Sequence, residues 1–333
     1  TTHGSDAQVN GALALDAIQR DAQMAGYGMS SALDALGCEI KAQFNSVDFT
    51  WTLAPVLITA GASDAPDSIA FMGSSTSRYS LPTRVIVDHP RTAANFFTNT
   101  TVGIHEGDLM LAVPRTIDPD NWCSVFDVTG LGNGGGGGNG NGNGNDNGNG
   151  NGNGFGQNQV IHNSGADGPW NQAGGQTIFP DAGYPAGSYL LNLGQFDRRT
   201  YSISAANSLQ LTTFSSATAT DATADLYPGI VQLKAFYGKD TDGDGVVDTY
   251  DKTAPADNAQ WRQVQVVRLA VVARSAQFER EDVTAADLLW DVGTTVPVAG
   301  AADCGASKCV TLKVSTLADW KRYRYKVYDV VVP

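Results

Sequence analysis

SDAQVNGALALDAIQRDAQMAGYGM, residues 5–29, is the one long helical stretch in a chain that otherwise reads as strands and loops. At helical spacing it carries two apolar stripes. Val9, Leu13, Ala17 and Met24 fall on one side, and Leu15, Ile18, Ala22 and Ala25 fall nearly opposite. A helix resting on a single core shows one stripe, so two stripes ask for two partners: the rest of this chain and a different chain. Asp16 and Arg20 stand four apart and pair weakly, contributing roughly 0.3 kcal/mol. Gly26 and Gly28 end the helix, glycine being suited to the left-handed C-terminal position. Ser5 and Gln8 form a capping-box pattern, which places the helix start at Ser5.

The chain has 333 residues, 42% of them hydrophobic, enough for a large core or two domains. Its formal charge is −13. That balance argues against nucleic acid as a partner, because such binding rests on neutralising phosphates. It also argues against adhesion to anionic lipid. No run of about 18 apolar residues occurs, so nothing in the sequence reads as a membrane span. The chain opens on Thr1 without an initiator Met or a signal peptide, as a processed or trimmed chain would.

Four cysteines, Cys38, Cys123, Cys304 and Cys309, fit two disulfides with three possible connectivities. Cys304 and Cys309 flank a short Gly-Ala-Ser-Lys loop and are near enough to pair locally, which leaves Cys38 with Cys123. No CxxC and no nearby His supports zinc. Two disulfides imply an oxidising, extracytoplasmic setting.

Strands are expected at 67–73, 83–88, 107–113, 123–128, 188–194, 229–238, 266–275, 309–315 and 322–332, with a hairpin over 199–204 and 208–214. Residues 30–60 give no clear pattern. A helical turn capped by Asp257 is expected near Trp261, and a short helix capped by Asp282 or Thr284 within 282–290. Residues 132–154 are almost only Gly and Asn and read as a long flexible, solvated loop. One helix and about ten strands make an α+β class with antiparallel sheets.

The chemistry concentrates in DTDGDGVVDTYD, residues 240–251. Asp240, Asp242, Asp244, Asp248 and Asp251 hold positions one, three, five, nine and twelve of a calcium loop, Gly245 holds the sharp-turn position six, and the carbonyl of Val246 holds position seven. A hard cation takes oxygen ligands at about 2.3–2.6 Å, and alternate residues of a turning chain converge on one point. Five carboxylates so close repel one another without a cation. Position twelve is Asp, shorter than the usual Glu, and a strand precedes the loop in place of a helix. Calcium is therefore the expected cofactor, in a structural role. Catalysis finds no support: the four histidines lie in unrelated segments, and no nucleophile elbow occurs.

Three stretches resemble the PilW-type minor pilins of bacterial type IV pili. DWKRYRYKVYDVVVP (319–333) is similar to their C-terminal signature, and LALDAIQRDAQMAGYGM (13–29) looks like the end of their spine helix. FYGKDTDGDGVVDTYD and the following WRQVQVVRLAVVARS resemble their acidic loop and next strand. The resemblance implies a pilin-like fold, an N-terminal spine helix packed on antiparallel β-sheet. Residues 1–29 are then the C-terminal part of that helix, its hydrophobic first half absent, and 30–333 the globular head. It implies a non-enzymatic structural role in pilus assembly and priming and in the tip complex, with other minor pilins, the major pilin and a PilY-type tip adhesin as partners. Val9, Leu13, Leu15, Ile18 and Met24 are the expected partner-binding residues. The implied location is the cell-surface pilus, after inner-membrane anchoring through the absent helix half. Three other readings stand against it: a type II secretion pseudopilin, a secreted carbohydrate- or matrix-binding module stabilised by calcium, and, third, an extracellular hydrolase using acidic residues outside 240–251.

Overall fold

The computed structural model describes residues 3–29, 31–74, 81–132, 158–164, 168–171 and 178–333. The Gly/Asn stretch expected as a flexible loop, 132–154, lies outside these residues except for Gly132. In chain order the elements open with α1 (His3–Met24), β1 (Glu39–Phe44), β2 (Val47–Thr52), β3 (Val56–Thr59), β4 (Ser68–Ser74), β5 (Thr83–Arg84) and β6 (Asn95–Thr98). They continue with β7 (Leu109–Val113), β8 (Cys123–Asp127), β9 (Gly130–Gly132), β10 (Asn158–Ile161), β11 (Tyr189–Gly194), β12 (Phe196–Ile203), β13 (Ser208–Ser215) and β14 (Thr220–Pro228). The last part holds β15 (Ile230–Lys239), β16 (Thr249–Asp251), α2 (Asn258–Trp261), β17 (Val264–Arg274), β18 (Leu288–Asp291), β19 (Ala302–Cys304), β20 (Ser307–Leu312) and β21 (Tyr325–Val332).

The expected α+β, pilin-like class is corrected by this inventory. The chain is mostly β, with 45% strand against 11% helix, two α-helices and five sheets among the described residues. The physical reason is that short and half-exposed strands outnumber those with a clear apolar signature, so the sequence undercounts β structure. Two compact units divide the chain, interleaved in sequence. Unit 1 is 1–27, 54–73 and 196–333, and unit 2 is 28–53 and 74–195. Residues 30–333, read from sequence as one head, contribute to both.

Unit 2 holds a six-stranded sheet, β2-β1-β8-β7-β11-β5, and a three-stranded sheet, β6-β10-β9. The β1–β8 pair is parallel, with Ile40 opposite Cys123, and the other pairings of the large sheet are antiparallel. Cys38 and Cys123 form a disulfide beside that parallel pair. Strands β7 and β8 are buried along their whole length; β7 reads as a continuous apolar run, and β8 also buries Ser124 and Asp127. The core gathers Phe96, Met110, Phe126, Val160, Phe179 and Tyr184. Two histidines enter it. His89 Nε2 and His162 Nε2 meet at 2.9 Å, and the His89 ring stacks on Phe96 at 3.6 Å. Burial pushes the His89 imidazole down to about 3 and that of His162 to about 4. Asp127, also buried, is pushed up to about 6 by desolvation, while the Trp170 N–H donates to its Oδ2 at 2.8 Å.

Unit 1 holds α1 and three sheets: β14-β13-β12-β4-β3, β16-β15-β17-β21 and β18-β20-β19. The helix already includes Gly4 and Ser5, so Ser5 is not its start. It ends at Met24, and Gly26 and Gly28 then take positive φ. The buried side of α1 consists mainly of small residues, Ala7, Ala14 and Ala17, with Ile18. Gly11 belongs with them, because a Cβ there would collide with the ring of Tyr328 on β21. Tyr328 Oη donates to the carbonyls of Ala7 and Gln8 at 3.4 and 3.3 Å. Further along, Tyr201 Oη donates to Asp21 at 2.6 Å, and Arg199 pairs with the same carboxylate at 2.9 Å. The predicted Asp257 cap is present, accepting from the Gln260 N–H. The helix expected within 282–290 does not form; Leu288–Asp291 pairs with β20.

All ten residues of β15 are buried, polar ones included. Gln232 donates to the carbonyls of Asp64 and Lys313. Lys234 donates to the Ala65 carbonyl at 2.6 Å and lies 3.4 Å from Asp67. The Asp67 side chain is fully buried and also takes Lys252 at 2.6 Å and the N–H groups of Gly61 and Ala235. A buried carboxylate with four donors is fully satisfied; deleting it leaves two ammonium groups without their counter-charge.

Two expected outcomes follow from these cores. Asp67→Ala lowers the stability of unit 1 by about 3–5 kcal/mol, measured by urea unfolding followed at the tryptophans. In unit 2, the histidine pair has folded values below the unfolded 6.5, so its contribution is complete above pH 6.5 and disappears as the pH falls toward 4 and 3. Asp127 has the opposite sign, its contribution being complete below pH 3.8 and lost as the pH rises through about 6. Two histidines outweigh one carboxyl, so going from pH 7 to 4.5 costs unit 2 about 3 kcal/mol. In the double variant His89→Phe/His162→Phe the urea midpoint should no longer drop over that range.

Candidate metal centre

The acidic stretch closes a β-hairpin. Strand β15 ends at Lys239, β16 begins at Thr249, and these two residues are register partners. Asp240 N–H donates to the Gln263 carbonyl and Asp248 N–H to the Lys239 carbonyl, which fixes both ends of the loop. Inside it the chain turns on Gly243 and Gly245, with φ of +84° and +86°, a region that glycine enters without steric cost.

Three of the expected ligands come together. One carboxylate oxygen each from Asp240, Asp242 and Asp244 lies within 4.8 Å of the others. Oxygens about 2.3–2.6 Å from a common ion stand at most about 5 Å apart, so this spread suits calcium. Asp240 is buried and its two oxygens accept the N–H groups of Gly243 and Gly245 at 2.7 and 2.8 Å. Asp242 accepts from Asp244 N–H at 3.2 Å, and Asp244 from Val246 N–H at 2.8 Å. Among the described residues none of the three has a cationic partner within 4.0 Å. Three converging carboxylates with hydrogen bonds but no counter-charge are a donor set that fits a hard cation.

The remaining expected ligands are placed otherwise. Asp248 accepts from both the N–H and the hydroxyl of Thr241 at 2.7 Å, and the hydroxyl bond holds its carboxyl below the ordinary range. Asp251 lies in β16 opposite Tyr237, where Lys239 Nζ binds it at 2.8 Å and the Thr253 N–H at 2.7 Å. Val246 has an exposed side chain. Lys239 is the residue the spacing argument missed. It precedes the loop by one position, and only the strand register reveals that it meets Asp251.

Both expected disulfides are formed, Cys38–Cys123 in unit 2 and Cys304–Cys309 in unit 1. The second closes a tight turn between β19 and β20. On α1, Val9, Leu13 and Met24 are exposed, at 55%, 43% and 62%, and Leu15 is half-buried. Ile18 is fully buried within unit 1.

Residues 199–333 match the family of Type IV Pilus-assembly protein W, PilW. The C-terminal region is PilW-type. The match takes in the acidic hairpin, the β17 stretch and the 319–333 ending, but not α1. The match over this part of the chain supports involvement in type IV pilus assembly. No curated protein and no solved structure matches it. No helix among the described residues is long and apolar enough to cross a membrane.

Isothermal titration with calcium separates the ligand roles. Asp242→Ala and Asp244→Ala should each abolish measurable binding. Asp251→Asn should leave it within a few-fold, because Asp251 is already neutralised by Lys239. Unchanged binding in the first two variants would remove the site from this loop.

Proposed function

We propose that the protein is a non-enzymatic structural subunit acting as a minor pilin, which takes part in priming type IV pilus assembly and in the pilus tip complex, with a calcium ion in the 240–251 hairpin stabilising it. The observation that carries this reading is the PilW match over 199–333. The partners proposed are other minor pilins, the major pilin and a PilY-type tip adhesin. The protein then belongs at the cell surface, anchored in the inner membrane before assembly. Two disulfides are consistent with that oxidising environment.

Calcium at Asp240, Asp242 and Asp244 would offset their mutual repulsion and fix the hairpin that ends β15. The exposed apolar side chains of α1, Val9, Leu13 and Met24, are the surface proposed for other pilus subunits. They lie off the buried side of the helix, so they can be changed without touching the packing on Tyr328.

Complementing a deletion strain with the triple variant Val9→Ser/Leu13→Ser/Met24→Ser is the direct test. The variant should fold with a near-native melting temperature yet restore few surface pili, counted by electron microscopy. Full piliation by the triple variant would refute the helix surface. Full piliation in the deletion strain itself would refute the assembly role.

A further inference from the structure

Strand β21 is the outermost strand of the sheet β16-β15-β17-β21. It runs against β17 for eight consecutive residues, from Tyr325 opposite Arg274 to Val332 opposite Val267, with no bulge. Both its faces are engaged within unit 1. Tyr328 packs on Gly11 and bonds to α1, whereas Tyr325 and Val327 pack on the core around Trp290, whose Nε1 donates to Asp329 at 3.1 Å. Only the rim is open. Among the described residues no backbone group or side chain hydrogen-bonds to the N–H and C=O groups of 325–332 that point away from β17.

The other edges of unit 1 are protected. Strand β14 carries Asp221 and Asp225, ends on Pro228 and has an irregular register beside Leu209 and Gln210. Strand β16 is three residues long, and residues 297–299 bond to both sides of Tyr250. Strand β3 has four residues, and its Ile58 N–H is taken by Tyr237 Oη. Strands β18 and β19 are short. Strand β21, YKVYDVVV, has neither proline nor bulge and one charge of each sign. A long, regular, apolar edge of this kind is a template for another strand.

We propose that β21 pairs antiparallel with β21 of a second copy of this chain, about a two-fold axis. Such an axis sets one residue opposite its own copy and keeps each side chain on its own face of the joined sheet. Centring on Lys326 or Asp329 brings like charges together, which is disfavoured. Centring on Val327 sets Lys326 opposite Tyr328 and Tyr325 opposite Asp329, so each charge meets a tyrosine. Lys326 Nζ already lies 5.0 Å from its own Tyr328 ring and would then stand beside two rings. The open rim, the absence of edge protection and this self-complementary register identify a second copy as the occupant. The pairing stands independently of the calcium site and of the pilus role.

Analytical ultracentrifugation of the full chain tests it. The wild type should form a concentration-dependent dimer. Because N–H groups alternate along a strand, one of Lys326→Pro and Val327→Pro, both within the 325–329 span that pairs in this register, breaks a bond to β17 and lowers the melting temperature, while the other removes only a rim donor. The variant that keeps its melting temperature should stay monomeric. In parallel, Val327→Cys under mild oxidation should give several-fold more disulfide-linked dimer than Val331→Cys, although Val331 is the more exposed position. A monomeric wild type, dimerisation of the fold-retaining proline variant, or cross-linking that favours position 331 would each overturn the proposal.

Discussion

Strand β15 imposes the strictest condition on unit 1. It is buried from end to end, and Gln232, Lys234 and Lys239 are part of it. Polar groups removed from water must find partners, and a lost partner costs more than the bond itself contributes. The chain meets this demand from three separate places. Residues 61–67 supply carbonyls and the Asp67 carboxylate, Lys313 supplies a carbonyl to Gln232, and the end of β16 with the loop after it supplies the partners of Lys239. Each partner fixes the position of a segment distant in sequence, so one strand sets the arrangement of the pieces around it.

The acidic hairpin follows from the same strand. Lys239 is the last residue of β15 and Asp240 the first carboxylate of the loop. The lysine points one way, to Asp251 and the Thr253 carbonyl, while Asp240 faces into the loop and receives the glycine N–H groups. Opposite charges at adjacent positions are thereby kept apart. The carboxylates facing the loop have no cationic side chain beside them among the described residues, and the carboxylate facing the sheet is paired with a lysine. A spacing rule that counts aspartates along the chain treats them alike. The strand register separates them into two roles.

Some of this was legible in the sequence. Strands β15 and β17, and the β12–β13 hairpin, stand out because burial on both faces, or a short polar turn between two β-rich runs, leaves a direct mark on composition. The cap at Asp257 is equally local, since it needs only one side chain and an N–H three residues on. Strands β1, β2 and β3 were not recognised: β2 is mostly exposed, and β1 takes up a parallel partner 83 residues away, Ile40 opposite Cys123 (123 − 40 = 83). Residues 282–290 illustrate the reverse error. Their Ala-Ala-Asp-Leu-Leu run favours helix locally, but Leu288–Asp291 is drawn into pairing with β20. The burial of α1 follows residue size rather than the two stripes. Its core side is lined with alanine and a glycine, which close approach to Tyr328 requires, and the large apolar residues Val9, Leu13 and Met24 are left outside.

The interleaving of the two units has a consequence for the order of synthesis. Asp67 leaves the ribosome 168 residues before the Ala235 N–H that it accepts. At ~5–20 residues per second that is a wait of roughly 8–34 s. During it α1 and the β3–β4 hairpin have no β15 to pack on, while every segment of unit 2 is already translated once residue 195 has emerged. The inserted unit can therefore finish first, and the early pieces of unit 1 remain a nascent fragment with an unpaired acid and an unpacked helix. Whatever meets the nascent chain in that interval meets those pieces before the strand that completes them exists.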